Sequence, residues 1–195
     1  MIRYFSQDKK IIPFKEFPYT IDMLFSSSDL VYRDLIEENN LYLQLVSYTF
    51  IFNPEKQKAF IAKRISGDKR LRNYYCLGFG GHVSDEDIIG EYSSNFLENA
   101  AIRELREELS IRKKELNLEH LGYIRDINSN TSNHLGAFYL LEAKMVSVIE
   151  TNKLKGFWVS YDDLKNVYYN KLESWSKHAL DYLYDNKESR KKLNF

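Results

Sequence analysis

The order of strand-like and helix-like segments leaves few folds open to this chain. Residues 43–52 and 59–65 are rich in β-branched and aromatic side chains, and the turn-forming stretch 53–58 between them predicts a β-hairpin. Two helices are predicted, at 95–109 and 172–184. Further strands are predicted at residues 74–79, 118–124, 135–141 and 157–160. Strands interspersed with helices, with a hairpin among them, indicate an α/β or α+β sandwich around a mixed sheet.

A single domain is expected for the 195 residues, because a chain of this length buries enough surface for one core and little more. We expect a lead-in over residues 1–42, with a short helix near 29–38, followed by a core over 43–185 and a basic tail over 186–195. Asn95 is expected to cap the helix at 95–109 with its side chain, and Glu98 three residues later completes a pair that resembles a capping box.

Charge and composition exclude several classes of protein. The 28 Lys and Arg residues balance 28 Asp and Glu residues, so the chain has no overall field that would hold nucleic acid non-specifically. The single cysteine, Cys76, excludes an intrachain disulfide framework and is expected to be a buried structural thiol. The first ten residues lack the apolar segment of a signal peptide, and no run of about 18 apolar residues occurs. We therefore expect a cytoplasmic protein with no membrane partner.

Three glutamates share one face of the helix predicted at 95–109. At about 100° per residue, Glu104 lies between Glu107 and Glu108 on the helix surface. Their mutual repulsion destabilises the helix and raises their pKa values unless a cation lies among them. A cluster of oxygen ligands suits Mg²⁺ or Mn²⁺, which also keeps waters that substrate phosphates can replace. The alternative is an ordinary solvated face whose glutamates pair with neighbouring arginines.

The residues around this helix resemble the Nudix box. The box consists of a glycine, five residues, a glutamate, seven residues and then Arg-Glu-U-x-Glu-Glu-x-Gly-U, where U is aliphatic. Here Gly80-Gly81 follows a predicted strand, and the core of the box matches at Arg103, Glu104, Leu105, Glu107 and Glu108, with Ile111 as the last aliphatic residue. Residues 43–183 look similar to a bacterial branch of predicted Nudix-type phosphoesterases. The resemblance implies a Nudix-like α/β/α sandwich with a mixed β-sheet.

The sequence departs from the Nudix box at two positions. Asn95 stands where the first glutamate is expected, eight residues before Arg103, and about eight extra residues separate it from Gly81. We assign this insertion to residues 84–91, and Asp85, Glu86 or Glu91 could take the place of the missing acid. Ser110 replaces the glycine at the end of the helix, and a left-handed conformation there would cost roughly 1 kcal/mol.

The resemblance implies a role for each matching residue. Glu104, Glu107 and Glu108 would bind Mg²⁺ or Mn²⁺ with help from the Gly80-Gly81 backbone, and Glu107 or Glu108 would orient or deprotonate the attacking water. Arg103 would orient the glutamates through charge-assisted hydrogen bonds. Nudix enzymes also draw a further acid from a variable position. The candidates for it are Glu142, Glu150 and Glu173, of which we favour Glu173.

Basic residues precede the double glycine. Between residues 56 and 72 there are seven Lys and Arg residues against two acids, and they could bind substrate phosphates or form a solvated loop. We expect Arg64 and one of Lys69, Arg70 and Arg72 to bind phosphate, and we take Arg70 as the second cation. His134 is a further candidate for substrate binding, although an isolated histidine is more often structural.

The expected function is metal-dependent hydrolysis of a phosphoanhydride in a small nucleoside-diphosphate-linked compound. One alternative is a Nudix-like domain that senses a nucleotide without turning it over, which Asn95, Ser110 and the insertion would suit. A second alternative is an isoprenoid-diphosphate isomerase, which needs a positioned cysteine, here Cys76. The aromatic content would also permit a homodimer.

Overall fold

A mixed β-sheet forms the centre of the molecule. The computed structural model describes residues 11–13, 16–36, 42–66, 72–89, 95–112, 116–128 and 132–194. Within these residues the sheet has the strand order β1-β7-β8-β2-β3-β10, while short strands β4 and β5 pair with β3 and β2. These strands are β1 (Ile11–Pro13), β2 (Gln44–Asn53), β3 (Lys58–Arg64), β4 (Tyr75–Cys76), β5 (Gly78–Phe79), β7 (Leu118–Ile124), β8 (His134–Glu142) and β10 (Leu154–Ser160). Strands β6 (Leu109–Ile111) and β9 (Val146–Val148) form a separate pair.

The centre of the sheet is a parallel pair of strands. Strand β2 runs parallel to β8 from the Gln44–His134 pair to the Phe52–Glu142 pair, and the other strand pairs of the sheet are antiparallel. Strands β2 and β3 form the predicted hairpin, and the Asn53 side chain accepts a hydrogen bond from the amide of Lys56 in the turn, at 3.1 Å. The mixed sheet predicted from the sequence is confirmed.

Helices cover both faces of the sheet, as an α/β/α sandwich requires. On one face lies α3 (Phe96–Glu108), whose buried residues Leu97, Ala101 and Leu105 pack against the sheet. On the other face lies α5 (Ser174–Asp185), which buries Trp175 and Leu180. The remaining helices are α1 (Ile21–Ser26), α2 (Arg33–Ile36), α4 (Tyr161–Asp163) and α6 (Lys187–Leu193). A π-helical turn (Leu164–Tyr168) and a 3₁₀ turn (Tyr169–Lys171) follow α4.

Both ends of the described chain belong to the packed structure. Strand β1, within the expected lead-in, pairs with β7 as an edge strand. The short helix expected near 29–38 is limited to α2 within the described residues, and α1 precedes it. Residues 187–193 of the expected basic tail form α6, because Leu193 and Ser189 on one side of this segment are buried. The sequence did not indicate this helix, because the segment is short and its few buried residues lie among lysines and arginines.

At the start of α3 one expectation is wrong, and at its end the strain considered for Ser110 does not arise. The Asn95 side chain makes no capping hydrogen bond to the helix. At the other end, the chain leaves α3 directly into strand β6, and Leu109 already has extended dihedral angles. Ser110 is not among the residues with positive φ, so it carries no left-handed strain. A glycine is unnecessary where a strand, rather than a turn, follows the helix.

No helix among the described residues has both the length and the apolar character needed to cross a bilayer.

His120 is a half-buried histidine whose ionisation opposes folding. Its ring stacks on Tyr139 with centroids 4.7 Å apart, and its Nε2 lies 3.0 Å from the carbonyl oxygen of Gly122. Burial lowers the pKa of His120 to about 4, because the charged imidazolium loses water that the surrounding rings do not replace.

We predict that His120 makes the protein less stable in acid. The folded pKa lies below the unfolded value of about 6.5, so the unfolded chain binds more protons as the pH falls from 6.5 towards 4. At pH 5 this effect should remove about 2 kcal/mol from the free energy of unfolding. Urea denaturation at pH 7 and pH 5 should show a smaller loss for His120→Gln than for the parent protein. Equal losses in the two proteins would contradict the prediction.

Candidate functional site

The double-glycine turn after β5 packs its backbone against β2 and α3. The Gly81 carbonyl accepts a hydrogen bond from the amide of Ser47 at 2.8 Å. Gly80 has φ of 150°, and a Cβ there would lie 2.3 Å from the carbonyl oxygen of Ser47. A Cβ on Gly81 would lie 2.5 Å from Oε1 of Glu104. A side chain at either position would clash with its neighbours, because Gly80 lies against the sheet and Gly81 lies against the glutamate helix.

The glutamates of α3 lie at the end of the helix that meets this turn. Glu108 is largely buried near the Gly80 amide, which lowers its pKa, and Glu104 lies directly against Gly81. Glu107 is the most open of the three, with 55% of its side chain exposed. Leu105 and Ala101 of the same helix are buried in the core and fix its position against the sheet. The structure therefore brings Gly80, Gly81, Glu104, Glu107 and Glu108 to one place.

Burial disfavours the charged forms of two of these glutamates. Burial raises the pKa of Glu108 to about 7, although the charge of Arg64 and the Gly80 amide partly oppose the shift. Burial also raises the pKa of Glu104, against the opposing effect of Arg103, which hydrogen-bonds to it. A cation bound beside these carboxylates would reverse both shifts, because it favours the charged form.

The carboxylates are not gathered around a single point. No three acidic, histidine or cysteine side chains in the described part of the chain converge as ligands of one ion. Arg103 holds Glu104 at 2.8 Å and Glu107 at 3.4 Å, while Glu108 faces Gly80. The three glutamates therefore share a helix face, and their side chains would have to turn to bind one ion.

Arg103 is the most extensively hydrogen-bonded side chain of the site. Its Nε and one Nη each donate to the carboxylate of Asp87 at 2.9 Å, so the two groups form a bidentate pair. The same Nη donates to the carbonyl of His82 at 2.8 Å, and the other Nη donates to Glu104 at 2.8 Å. Arg103 thus links the glycine turn, the segment after it and the glutamate helix.

Asp87 is the acid that the sequence analysis missed. It lies in a 3₁₀ turn (Asp85–Asp87), is 2% exposed and also accepts the amide of Ser84 at 2.8 Å. Asp87 follows Gly81 by six positions, the spacing that the Nudix box prescribes for its first acid. The eight extra residues therefore lie after Asp87 and before Arg103, not between Gly81 and the acid as we had assigned them. A search for aspartate as well as glutamate at this position would have found it.

The other acids proposed for this position do not replace it. Glu86 is 67% exposed, and one of its oxygens lies 3.7 Å from Nε of Arg103. Asp85 is exposed at the start of the 3₁₀ turn. Glu91 lies outside the described residues.

Arg64 and Glu173 form an ion pair beside the glutamates. Nε of Arg64 lies 3.3 Å from a carboxylate oxygen of Glu173, whose other oxygen accepts a hydrogen bond from Ser176 at 3.3 Å. Ser176 in turn bonds to the Tyr48 hydroxyl at 2.8 Å. Glu173 is only 8% exposed, and burial raises its pKa although Arg64 opposes the shift. The structure therefore brings Glu173 to Arg64 rather than placing it in open contact with solvent.

The other residues expected at the site lie in different parts of the chain. His134 begins β8, and its Nε2 lies 3.1 Å from Nε2 of His82, the residue after Gly81. Arg70 and Lys69 lie outside the described residues. Glu142 is at the far end of β8, whereas Glu150 pairs with Lys153 near the end of α3. Lys153 was not singled out from the sequence.

Cys76 is a buried thiol, as predicted. It is 1% exposed, and its Sγ donates to the carbonyl of Ala62 at 3.4 Å. Burial raises the pKa of Cys76 to about 12, so the thiolate is strongly disfavoured. These properties do not suit the acid–base work that an isomerase would require of it.

We predict that Asp87 stabilises the folded protein through Arg103. In Asp87→Asn an amide N–H must face either Arg103 or the Ser84 amide, both of which are donors, so the free energy of unfolding should fall by about 2 kcal/mol. Glu86→Gln is the matched control, because Glu86 is exposed beside the same guanidinium. Urea denaturation at pH 7 measures both variants. Equal stability of the two variants would show that the bidentate pair has no such role.

Known proteins share both sequence and structure with this chain. No protein-family model matches it. YmaB of Bacillus subtilis (strain 168) is 29% identical over 172 residues, which are 82% of each chain. The solved structure of Tm1382, described as a proposed Nudix hydrolase, is 27% identical with a TM-score of 0.73, over 91% of this chain and 89% of that one.

A MutT Nudix hydrolase from Burkholderia pseudomallei has the same fold, with a TM-score of 0.51 and 19% identity over 71% of this chain and 95% of that one. The sheet, the double-glycine turn and the Arg103-centred glutamate helix agree with these similarities. The chain is thus similar in sequence and fold to Tm1382, and it shares the fold of the MutT Nudix hydrolase.

Proposed function

We propose that this protein is a metal-dependent hydrolase that cleaves a phosphoanhydride bond in a small nucleoside-diphosphate-linked compound. The observation that carries the proposal is the position of Glu104, Glu107 and Glu108 at one end of α3, against the backbone of the double-glycine turn. Arg103 holds this arrangement together through Asp87. The Nudix fold, whose solved members include hydrolases, supports the reaction class.

The residues present suit a hard divalent cation. All three side chains offer carboxylate oxygens, and the buried state of Glu104 and Glu108 disfavours their negative charge unless a positive charge is nearby. We assign the binding of Mg²⁺ or Mn²⁺ to Glu104, Glu107 and Glu108. When bound, the ion supplies neutralising charge for the phosphates and lowers the pKa of a coordinated water.

The side chains divide the work of hydrolysis between them. Glu107 is open to solvent, so it is the best placed of the three to meet an incoming water and accept its proton. The water oxygen forms a bond to phosphorus as the bond to the bridging oxygen breaks, and the leaving phosphate keeps that electron pair. Arg103 fixes the position of Glu104 and Glu107 during this step, since it binds both.

Arg64 is the cation that we assign to the substrate phosphates. Only its Nε is bound to Glu173, so among the described residues its two Nη groups have no hydrogen-bond partner. Its charge also acts on Glu108, which places the guanidinium near the glutamates. An arginine held by one edge can present its other nitrogens to phosphate oxygens. We assign His134 to substrate binding as well, through its contact with His82 next to the glycine turn.

Measurements of turnover test the roles of the glutamates. We would measure phosphate release with coupled pyrophosphatase or phosphatase from nucleotide sugars, dinucleoside polyphosphates, ADP-ribose, NAD and nucleoside triphosphates, with Mg²⁺ or Mn²⁺. Glu107→Gln and Glu108→Gln should each lower kcat by about 100-fold or more, because each loses a charged group of the site. Glu98→Gln, in the first turn of the same helix, is the control and should change kcat less than twofold.

The outcome separates this proposal from the alternative of a nucleotide sensor. Metal-dependent turnover that both variants lose would support hydrolysis and identify the substrate class. If no compound is hydrolysed but one binds tightly, the sensor is the better description. Turnover that survives Glu107→Gln and Glu108→Gln would refute the assignment of these glutamates.

Substitution of each glycine separates the roles of Gly80 and Gly81. In Gly81→Ala the atoms nearest to the new methyl group are at the end of the flexible Glu104 side chain, so the protein should fold normally but lose at least tenfold in kcat. In Gly80→Ala the methyl group meets the Ser47 backbone at a positive φ, so the melting temperature should fall clearly. Thermal unfolding and the turnover assay together measure both effects. An active Gly81→Ala variant would contradict the role of the Gly81–Glu104 contact.

A further inference from the structure

The turn between β9 and β10 is attached to the end of the glutamate helix. The amide of Ile149 donates to the carbonyl of Glu108 at 2.8 Å, which fixes the start of the turn. At its other end, the carbonyl of Lys153 accepts the amide of Ile65 at 2.8 Å. Within the turn, the amide of Leu154 donates to the carbonyl of Glu150 at 3.0 Å. These bonds fix the turn that carries Lys153 between the end of β3 and the end of α3.

The side chain of Lys153 is much less constrained than its backbone. Its Nζ lies 2.6 Å from a carboxylate oxygen of Glu150, and 52% of the side chain is exposed. Such an exposed ion pair contributes little to stability, because water and salt screen it and two flexible side chains must be ordered. Lys153 can therefore exchange Glu150 for another anion at little cost.

Lys153 also lies within electrostatic range of the proposed metal ligands. Hydrogen bonding to Glu150 is the main reason that its pKa is raised, and the charges of Glu108 and Glu104 add to the effect. Arg64 acts on Glu108 as well. Two cations from separate elements, β3 and the turn before β10, therefore influence the same end of α3.

We propose that Lys153 binds a phosphate group of a diphosphate substrate, leaving Glu150 when the substrate arrives. This inference rests on the proposed function and names a binding residue that the function does not require. The substrate class is a compound with at least two linked phosphates, since Arg64 and Lys153 offer two separate cations beside the glutamates. The ammonium of Lys153 acts as a point charge with rotatable donors, which suits phosphate oxygens whose direction changes during cleavage.

The test measures binding without turnover. Methylene diphosphonate, a diphosphate analogue whose bridging carbon cannot be hydrolysed, would be titrated calorimetrically into the full chain with Mg²⁺ present. Lys153→Gln should weaken binding about tenfold, which is typical for the loss of one charged contact, and Lys153→Arg should recover most of the affinity. Lys155→Gln is the matched control, because Lys155 is an exposed lysine two positions later in β10. It should bind like the parent protein.

Glu150→Gln distinguishes ligand binding from a structural role of the ion pair. If Lys153 binds the diphosphonate, this variant frees the ammonium and should bind at least as tightly as the parent protein. If Glu150→Gln weakens binding as much as Lys153→Gln does, the pair only supports the turn and the proposal is wrong. Unchanged affinity in Lys153→Gln, or no binding to the parent protein, would also overturn it.

The turnover assay shows which of the two proposals fails. A parent enzyme that hydrolyses its substrate, with an unchanged KM in Lys153→Gln, would refute the role of Lys153 and leave the hydrolase intact. A chain that binds methylene diphosphonate through Lys153 but hydrolyses nothing would refute the hydrolase and leave the phosphate site intact.

Discussion

The bidentate pair between Arg103 and Asp87 joins helix α3 to the 3₁₀ turn that precedes it in the sequence. The same guanidinium also reaches the glycine turn. Asp87 belongs to a 3₁₀ turn, and Arg103 belongs to the middle of α3. The remaining donors of the guanidinium bind the His82 carbonyl and Glu104. A planar group with five donors can satisfy all of these acceptors at once, which a lysine in the same place could not do. The glycine turn and the first glutamate thus share one hydrogen-bonding partner, in addition to the bond between the turn and β2.

The sheet supplies the rigid frame on which this pair acts. Strands β2 and β8 lie parallel at its centre, and the glycine turn hydrogen-bonds to β2 through Ser47. Helix α3 is held to one face by Leu97, Ala101 and Leu105, so the glutamates can be partly buried without loosening the helix. Burial then disfavours the charges of Glu104 and Glu108. The free energy lost by burying these charges is offset by the large folded core, and a bound cation would reduce that loss.

A second buried network lies beneath the same site from the opposite face. Glu173 precedes α5 and pairs with Arg64 from β3, and Ser176 and Tyr48 extend the hydrogen bonds into the core. Paired in this way, Glu173 can be buried, and Arg64 is directed towards Glu108. The two faces of the sandwich therefore meet at the glutamates. On the exposed side, the turn at 149–153 brings Glu150 and Lys153 to the same end of α3.

The sequence by itself determined the hairpin, the mixed sheet, the two main helices and the shared face of Glu104, Glu107 and Glu108, because each follows from local spacing of side chains. It did not reveal that residues 187–193 pack as a helix, since only contact with α5 and the core shows which side of a lysine-rich segment is buried. It also did not identify Asp87, whose carboxylate reaches Arg103 across sixteen positions. Nor could it pair Arg64 with Glu173 or place Lys153 beside Glu108, because such contacts depend on how strands far apart in sequence are arranged. Local periodicity can be recognised in the sequence, whereas the partners of a buried charge are determined only by the arrangement of the whole sheet.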